Sequence, residues 1–566
     1  MKKQLSVLCT CLILILTINS KAQVNLDWVK SVGGTGYDQG NAITLDALGN
    51  VYTTGFFSDV VDFDPSAAVF TLTSSGSNTD CYITKFDVNG NFIWAKNIGS
   101  TDSEYGKALK IDANGDILIA GTFQGTVDFD PNAGINNLTA TGGTDMFILR
   151  LDANGNFIWA EDIGSSYTDP KSLTIDNNGN ILTTGVFSGV NDFDPGAAVF
   201  SITGQGNNDI FVLKLTSSGN FVWAKAVGES GFDNGESVTV DATGNCYVTG
   251  YFQNTADFDP GAGTYSLTST GGDEIFIFKL DLSGNFVWAK RIGNTGSDLA
   301  RSIISDASNN IYLTGFFTGT TDFDPDAGVF NLVAGGPLEA FILKLNSSGN
   351  LVWAKCTNSG GSTCEALSIQ LDIQGNVYTT GIFQNTTDFD PSTNTSTLTS
   401  NGSNDIYILK LDPSGNFLWV RGFGNSNFEA AYSIAVYNTN SVYTTGGYTG
   451  TVDFDPNGTV NNQTSIGSQD IFIHKLSELN VGIKPNSSSL SDITVFPNPF
   501  NDKLTVQFAP SLQGSHIELY NLLGTLIYTD IITSNQEIDM SKQPKGIYFI
   551  RIGMNEKTVT KKIIKE

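Results

Sequence analysis

The feature that most constrains the fold is a long repeat that runs through most of the chain. Successive tryptophans stand 64 to 66 residues apart, and the tetrapeptide DFDP recurs seven times with the same period. The repeated tryptophans are Trp28, Trp94, Trp159, Trp223, Trp288, Trp353 and Trp419. Two independent markers with one period indicate a repeat architecture, in which each unit buries its apolar surface against its neighbours.

Each repeat has the pattern of four β-strands. In residues 40–99 these are GNAITLD, NVYTTGFF, CYITKFD and NFIWAKNIG, with a connector that carries DFDP between the second and the third. Alternation of apolar and polar residues, with β-branched and aromatic side chains, is typical of strands. The turns DALGN (46–50) and DVNGN (87–91) share one pattern, in which Asp accepts bonds from backbone amides and Gly takes a positive φ.

The chain begins with the end of a repeat. The segment VNLDWVK, residues 24–30, matches the fourth strand of later repeats, whereas the last repeat stops after DIFIHKLS, residues 470–477. We therefore expect an all-β fold: a seven-bladed β-propeller over residues 23–478, closed by the N-terminal strand, with a small C-terminal β-sandwich. An open stack of sheets is the alternative, and it gives no reason for the divided repeat.

The repeats resemble the bacterial propeller repeats known as SBBP. The segments that carry the resemblance are GNVYTTG (49–55), DIFVLKL (209–215) and the recurrent SGNFVWAK, and the likeness extends over residues 24–477. The resemblance implies a seven-bladed fold. It does not identify a function, because propellers serve both in binding and in catalysis.

The N-terminus has the pattern of a secretory signal peptide over residues 1–22. Two lysines precede an apolar stretch that is short for a membrane span, and small residues place the cleavage between Ala22 and Gln23. A lipoprotein signal through Cys9 or Cys11 is the alternative. We expect no transmembrane segment in the mature chain, because no later stretch is long and apolar enough.

The C-terminal part differs in composition, and residues 479–492 form a predicted linker before it. The segments ITVFPNPFNDKLTV, IELYNLLGTLIY and GIYFIRIGMNEKTVTKKIIK resemble the C-terminal sorting domain of type IX secretion substrates over residues 493–566. The resemblance implies that this domain engages the type IX secretion machinery. It also implies a protein that is secreted or held at the outer surface of a Gram-negative bacterium. A plain accessory sandwich is the alternative.

The DFDP connectors allow two hypotheses. Alternation places Phe on one side and both Asp on the other, and the second Asp followed by Pro fits a type I turn, so the motif could be a turn cap with a packed ring. The other hypothesis is a ring of cation sites with calcium as the cofactor, because hard cations take carboxylate oxygens. The carboxylates concerned are Asp62, Asp64, Asp128, Asp130, Asp192, Asp194, Asp257, Asp259, Asp322, Asp324, Asp388, Asp390, Asp453 and Asp455.

Two further sets of acids recur in register. The set before the first strand is expected to bond backbone between neighbouring blades. It consists of Asp38, Glu104, Asp233, Asp298 and Glu429, with Asp169 near it in a slightly shifted loop. The set before the third strand is expected to form a solvated acidic collar, with a ligand-binding rim as the alternative. It consists of Asp80, Asp145, Asp209, Glu274, Glu339, Asp405 and Asp470. Strand direction places both sets, with the connectors, toward one face, where we expect binding.

Four cysteines remain after the predicted signal peptide. Cys81 and Cys246 stand where other repeats have aliphatic residues, so both are expected to be buried free thiols. Cys356 and Cys364 flank one loop between repeats. A disulfide between them is predicted for an exported protein, and two free thiols are the alternative.

Composition and residue types favour a binding function over catalysis. The formal charge of −27 argues against nucleic acid as a partner. Only two histidines occur, and His474 stands where other repeats have Leu, so no His-based triad or zinc cluster is expected in the repeats. We expect a non-enzymatic binding or adhesion protein, possible partners being glycans or surface proteins. A secreted carbohydrate-active enzyme and a structural envelope spacer are the alternatives.

Overall fold

The computed structural model describes residues 23–479, 493–508, 516–521, 525–531, 533, 535–554 and 557–566. The chain divides into two compact regions, Met1–Leu479 and Asn480–Glu566. The predicted signal peptide over residues 1–22, and with it the cleavage site after Ala22, lies outside the described residues, as does the predicted linker beyond residue 479. Within the described ranges every regular element is a β-strand, and they contain no helix able to cross a membrane.

The first region is built from seven four-stranded antiparallel sheets within the described residues 23–479, one for each repeat. The first strands, which number the repeats from 1 to 7, are Gln39–Leu45, Tyr105–Ile111, Tyr167–Ile175, Asn234–Val240, Leu299–Ser305, Cys364–Leu371 and Glu429–Tyr437. The second strands are Val51–Ser58, Ile117–Phe123, Ile181–Ser188, Cys246–Phe252, Ile311–Phe317, Val377–Phe383 and Ser441–Tyr448. The third strands are Thr79–Phe86, Asp145–Leu151, Asp209–Leu215, Glu274–Leu280, Glu339–Leu345, Asp405–Leu411 and Asp470–Leu479.

The fourth strands complete the sheets, and the connectors add a small hairpin to each repeat. The fourth strands of repeats 1 to 6 are Phe92–Ile98, Phe157–Ile163, Phe221–Val227, Phe286–Ile292, Leu351–Cys356 and Phe417–Phe423. The hairpins pair Val60–Asp62 with Thr71–Thr73, Thr126–Asp128 with Asn137–Thr139, Val190–Asp192 with Ser201–Thr203, Thr255–Asp257 with Ser266–Thr268, Thr320–Asp322 with Asn331–Val333, Thr386–Asp388 with Thr397–Thr399, and Thr451–Asp453 with Asn462–Thr464.

The fourth strand of repeat 7 comes from the other end of the chain. The strand Gln23–Val32 pairs antiparallel with Asp470–Leu479, in a register that sets Trp28 opposite Lys475. The indole Nε1 of Trp28 donates to the carbonyl oxygen of Val88 at 3.2 Å, a contact with repeat 1. The N-terminal segment therefore supplies the fourth strand of the last sheet and contacts repeat 1.

The turns between strands have the predicted chemistry. In the first of them, Asp46 Oδ1 accepts from the backbone N–H of Leu48 and of Asn50, both at 2.9 Å, while its Oδ2 accepts from Asn50 Nδ2 at 2.7 Å. Gly49 has φ +82°, a conformation that a side chain would disfavour. One carboxylate thus holds three donors, which fixes the hairpin and hence the register of the two strands that it joins.

Backbone hydrogen bonds connect each first strand to the sheet before it. In repeat 1 the N–H of Asp38 donates to the carbonyl oxygen of Gln469 in repeat 7, at 3.0 Å. The corresponding donors and acceptors are Glu104 and Thr79, Thr168 and Thr144, Asp233 and Asn208, Asp298 and Asp273, Cys364 and Leu338, and Glu429 and Asn404. Repeat 7 therefore contacts repeat 1 in the same way as any other neighbouring pair.

Apolar cores fill the spaces between neighbouring sheets. The phenylalanine of DFDP is fully buried in every repeat, at Phe63, Phe129, Phe193, Phe258, Phe323, Phe389 and Phe454. In repeat 1 its ring lies 5.2 Å from the ring of Phe57 and 5.2 Å from that of Tyr82. Full burial of such a side chain contributes about 1.5–3 kcal/mol, so the connector is tied firmly to the sheet. This confirms the packed ring that the motif predicts.

The C-terminal region forms two antiparallel sheets within its described residues. One holds three strands, Ile493–Phe496, Lys503–Phe508 and Gln536–Asp539. The other holds four, His516–Asn521, Leu526–Ile531, Gly546–Met554 and Lys557–Lys565. A common apolar cluster, which includes Leu504, Leu519 and Ile550, receives side chains from both sheets. This arrangement agrees with the small sandwich that the sequence predicts.

The four cysteines within the described residues are free thiols, and the predicted disulfide between Cys356 and Cys364 is not formed in this structure. Cys356 ends the fourth strand of repeat 5 and packs against the core shared by repeats 4 and 5. Cys364 begins the first strand of repeat 6 and is buried in the core shared by repeats 5 and 6. The two side chains thus pack in different apolar cores. Cys81 and Cys246 are buried free thiols, as predicted.

Candidate functional site

The DFDP carboxylates cap the connectors in all seven repeats. In repeat 1, Asp62 Oδ1 accepts from the backbone N–H of Asp64 at 3.1 Å and of Phe70 at 2.8 Å, and Asp64 Oδ1 accepts from that of Ser66 at 2.9 Å. The first aspartates that repeat this geometry are Asp128, Asp192, Asp257, Asp322, Asp388 and Asp453. The second aspartates are Asp130, Asp194, Asp259, Asp324, Asp390 and Asp455.

The same capping bears on the cation hypothesis. Each carboxylate uses one oxygen for backbone donors, and Asp455 uses its other oxygen to accept from the hydroxyl of Thr459. Within the described residues, no group of three or more His, Cys, Asp or Glu side chains is placed to hold a metal ion. A cation at a connector would therefore need backbone or solvent oxygens to reach the six to eight ligands that calcium takes.

The acids before the third strand are not a solvated collar, which corrects that prediction. All seven side chains are buried, and each ends a connector by accepting a backbone N–H. Asp80 accepts from Ser75 at 3.1 Å, Asp145 from Thr141 at 2.8 Å. A carboxylate satisfies amide donors that have no strand partner, which is why it lies inside the loop instead of in water. Burial raises the pKa of Asp80 to about 6 despite these bonds.

The acids before the first strand bond backbone between repeats, as predicted. Asp38 accepts from the N–H of Gly34, in the loop that follows the N-terminal strand, at 2.8 Å, and from that of Ser58, in repeat 1, at 2.9 Å. Burial raises the pKa of Asp38 to about 6, and that of Glu104 to about 7. In repeats 3 and 6 the position holds Thr168 and Cys364.

A polar cleft lies between the connectors of repeats 3 and 4. It encloses about 610 Å³, and its lining includes Gln205, Asp209, Glu229, Asp257 and Asp259. Asp257 and Asp259 each use Oδ1 for the backbone, and within the described residues no protein donor contacts either Oδ2. The cleft therefore offers carboxylate acceptors, together with the amide of Gln205, on the face where the connectors lie.

A second cavity is bounded by the first strands of all seven repeats. This central cavity encloses about 220 Å³. One position of the first strand, three residues after the recurrent acid, contributes a lining residue from every repeat but is occupied by six residue types in the seven repeats. Its residues are Asn41, Lys107, Lys171, Glu236, Arg301, Leu367 and Tyr432. The repeat is therefore broken at the wall of the central cavity.

Charged side chains converge at this wall. The central charge cluster consists of Lys107, Lys110, Asp169, Lys171, Glu236, Arg301 and Glu365. Lys171 Nζ lies 2.5 Å from Asp169 Oδ2, and Arg301 bridges Glu365 at 2.9 Å and Glu236 at 3.7 Å. Burial lowers the pKa of Lys171, but the carboxylate of Asp169 outweighs that effect and leaves the pKa raised. The charged side chains that repeats 3 to 6 contribute to this cluster thus form ion pairs with one another.

The two lysines of repeat 2 are the exception. Lys110 makes no hydrogen bond or ion pair within the described residues, and Lys107 Nζ has a contact only with the Tyr105 ring, 5.2 Å from its centre. Burial lowers the pKa of both ammonium groups, most simply at Lys110, where no carboxylate opposes it. Sequence reasoning missed this cluster because it searched for residues that recur. The available signal was the variation three and six residues after the recurrent acid, where Lys107 and Lys110 stand and other repeats carry different residues.

Histidine offers little for catalysis in the first region. His474 is buried, with its ring 4.6 Å from the ring of Phe423 and 5.7 Å from that of Phe454. Burial lowers its pKa to about 3, so the imidazole is neutral at ordinary pH. The packed role that its position predicts is confirmed.

Comparison with known proteins identifies the C-terminal region. Residues 494–566 match the family described as the secretion system C-terminal sorting domain. Proteins with this domain leave the cell through the type IX secretion system, which places this chain at the surface or outside of a Gram-negative cell. The sequence resemblance noted for residues 493–566 is thereby confirmed.

The repeats are similar to a protein named for WD repeats. Over 528 aligned residues the chain is 25% identical to an uncharacterized WD repeat-containing protein of Acanthamoeba polyphaga mimivirus, with 77% of this chain and 37% of that protein covered. It is 28% identical over 107 residues to the regulatory protein FlaEY of Caulobacter vibrioides, with 19% and 11% covered. The chain thus spans well under half the length of these relatives. A solved structure of a Bacteroides caccae protein of unknown function is 11% identical, covers 59% of this chain and 93% of its own, and gives a TM-score of 0.28.

Proposed function

We propose that the chain is an exported seven-bladed β-propeller of the SBBP type that binds ligands outside the cell without catalysing a reaction. The N-terminal strand closes the ring by completing the blade of repeat 7. Support comes from the pairing of Gln23–Val32 with Asp470–Leu479 and from the hydrogen bond that joins Asp38 to Gln469. A closed ring leaves no first or last sheet face without a neighbour, which explains why the chain divides one repeat between its ends.

The observation that favours binding is a set of half-exposed aromatic rings on the connectors. Position nine of the connector, counted from the first Asp of DFDP, carries Phe70, Phe200, Tyr265 and Phe330, each 39–41% exposed. A second aromatic ring supports three of them from the fourth strand, with centroids 4.9 to 5.2 Å apart. Supported rings beside carboxylate acceptors suit sugars, which present both apolar faces and hydroxyl donors.

A lectin-like protein is therefore the specific form of the proposal, with glycans as the ligands and surface proteins as the second possibility. Several weak sites on one rigid ring gain avidity when the glycan itself is repeated, because the second contact becomes intramolecular. The aromatic residue is absent from repeats 2, 6 and 7, where Asn136, Ser396 and Asn461 stand instead. The binding surface would accordingly be concentrated on repeats 1, 3, 4 and 5.

A hydrolytic enzyme is less well supported. A pair of catalytic carboxylates needs unlike environments that set one acid apart from the other. The recurrent acids share one environment. Among the acids that break the repeat, burial raises the pKa of Glu161 and Asp162 to about 7. The other three in the central charge cluster, Asp169, Glu236 and Glu365, are ion-paired with Lys171 or Arg301. Such pairing leaves a carboxylate occupied by a cationic partner, which suits a structural or binding role better than general acid catalysis.

A glycan-array screen tests the proposal. The chain from Gln23 onward is applied with and without calcium, beside the double variant Phe200→Ala/Tyr265→Ala and the matched control Asn136→Ala, which alters the same connector position where no ring stands. Selective glycan binding that the double variant loses and the control keeps would support the lectin-like function. Equal binding by the double variant and the parent, or no binding to any glycan, would overturn it.

A further inference from the structure

We propose that the central cavity binds a small oxyanion, such as a phosphate, a sulfate or the carboxylate of an acidic sugar. The site lies on the wall formed by repeats 1 to 3. Its donors are the ammonium groups of Lys107 and Lys110 and the backbone N–H groups of Leu109 and Leu173. This ligand is independent of glycan binding at the connectors, since the two sites share no residue.

The charges of the central cavity are unevenly distributed. Its cluster contains four cationic and three anionic side chains, although the chain as a whole carries a formal charge of −27. The three acids contact Lys171 and Arg301. Lys107 and Lys110 are thus left as two cations without ion pairs beside one cavity. Their attraction for an anion acts at short range, whereas the net negative charge of the chain repels anions at longer range.

The backbone supplies a second and independent observation. In five of the seven junctions between first strands, a serine hydroxyl accepts from the backbone N–H of the next repeat. The pairs are Ser172 with Val238, Ser237 with Ile303, Ser302 with Ile369, Ser368 with Ile434, and Ser433 with Ile43, at 3.2 to 3.4 Å. The other two junctions lack the hydroxyl, because alanine stands at both serine positions, Ala42 and Ala108.

The two N–H groups without a hydroxyl are those of Leu109 and Leu173, the equivalents of Ile43 and Val238. They lie on the strands that carry or adjoin Lys107 and Lys110, and all four residues line the central cavity. These four donors therefore lie on the wall where alanine replaces two of the serine hydroxyls. A set made of donors alone, two of them cationic, matches an oxyanion with several acceptor oxygens.

Energetics favour an occupant of this chemistry. Lys107 and Lys110 are partly buried, and an ammonium group that has lost part of its hydration without gaining a partner costs free energy, which is relieved when an anion pairs with it. The lowered pKa of Lys107 and of Lys110 reports the same unfavourable environment for positive charge. A bound oxyanion would also satisfy backbone donors that the hydroxyl groups serve elsewhere. Binding thus supplies an ion-pair partner for the ammonium groups and an acceptor for the backbone N–H groups.

Isothermal titration calorimetry of the chain from Gln23 onward tests the site. The probes are inorganic phosphate, inorganic sulfate and glucuronate, each at low ionic strength and neutral pH. The variants are Lys110→Met, which removes one ammonium group at similar volume, and Ala42→Ser/Ala108→Ser, which restores the hydroxyls that would occupy the two N–H groups. Lys225→Met, on a fourth strand away from the cavity, is the matched control. Lys107→Gln replaces Lys110→Met if that variant fails to fold.

We expect saturable binding of one equivalent, weakened about tenfold or more by the lysine variant, which corresponds to about 1.4 kcal/mol. The serine variant should weaken binding severalfold, and the control should bind as the parent does. Tighter binding of the inorganic anions would assign the site to a free ion, and tighter binding of glucuronate to an acidic sugar. The proposal is overturned if none of the three probes binds saturably, or if Lys110→Met and the serine variant bind as the parent does.

Discussion

The backbone N–H of Asp38 donates to the carbonyl oxygen of Gln469 across 3.0 Å, and this hydrogen bond joins the first repeat to the last. The same donor and acceptor positions meet at each of the other six junctions. At the junction between repeats 7 and 1, the hydroxyl of Ser433 also accepts from the N–H of Ile43 at 3.2 Å. The first and the last repeat are therefore joined by the same contacts that join the other neighbouring repeats.

The serine contact gives the first prediction. Ser433→Ala should lower the free energy of unfolding by about 0.5–1.5 kcal/mol, because it removes one hydrogen bond and leaves the N–H of Ile43 without its acceptor. Ser302→Ala, at the equivalent position between repeats 5 and 6, should cost a similar amount. Denaturant unfolding measures both, with the exposed turn residue Ser348 changed to Ala as the control. A Ser433→Ala effect no larger than that of the control would argue against a junction like the others.

The buried acids predict an unusual dependence of stability on pH. Burial raises the pKa of Asp38, Asp233 and Asp298 to about 6, and that of Glu104 and Glu429 to about 7. Because the folded chain favours the protonated form, their contribution to stability is complete below the unfolded pKa, near 4, and is lost as pH rises through 6 to 7. The melting temperature should therefore increase as pH falls from 8 to about 5.

The turn aspartates set the lower limit of that window. Hydrogen bonds outweigh burial and lower the pKa of turn carboxylates such as Asp87, Asp152 and Asp281, whose contribution to stability is lost as pH falls through their lowered pKa. Stability should therefore fall again below about pH 4. Scanning calorimetry across this range checks both limits, and Glu104→Gln should flatten the slope between pH 5 and 8. A steady decline from pH 8 to 5 would contradict the assignment.

The capping role of the connector carboxylates gives a third prediction. Asp62→Ala should lower the free energy of unfolding by about 1–3 kcal/mol, since the N–H groups of Asp64 and Phe70 lose their common acceptor. We propose that this capping does not need calcium, so EDTA should leave the melting temperature of the parent unchanged. A marked decrease with EDTA that calcium reverses would instead assign the connectors to a ring of cation sites.

The cysteines give a fourth prediction. Thiol titration of the chain from Gln23 onward should find four free thiols after unfolding without a reductant, because Cys356 and Cys364 belong to different cores. The folded protein should react slowly, since burial raises the pKa of Cys81, Cys246 and Cys356 to about 12 and so suppresses the thiolate. Two thiols instead of four would show that the disulfide forms after export.

Most of the fold could be predicted from the sequence because the same strand and turn patterns recur in every repeat. The Asp-x-x-Gly-Asn turns, the buried Phe63 of DFDP and the divided repeat all follow from alternation and turn chemistry. The burial of Asp80 was not predicted, because an acid in a loop is expected to be solvated unless the backbone N–H groups that donate to it are known. The disulfide was proposed from a short separation in sequence, whereas the direction of each side chain depends on the strands around it.

The central charge cluster could not be found by the same reasoning. Lys107 and Glu236 occupy equivalent positions with opposite charges, so a search for recurrent residues passes over both. Their proximity depends on the first strands lying side by side around one cavity. Only the arrangement of the sheets shows that Arg301 reaches Glu365 from the next repeat and that Lys110 reaches no acid. At the wall of this cavity, equivalent first-strand positions carry residues of different charge in different repeats.

The closure of the ring by the N-terminal strand is the central structural claim, and the melting temperature of a chain without residues 23–32 tests it most directly. Removing the strand opposite Asp470–Leu479 should lower the melting temperature sharply, because it exposes the edge of that strand and removes the buried side chains of Val24, Val29 and Val32 from the core. A chain that ends at Leu479 is the matched control, and it should melt as the parent does. A chain without residues 23–32 that is as stable as this control would contradict closure.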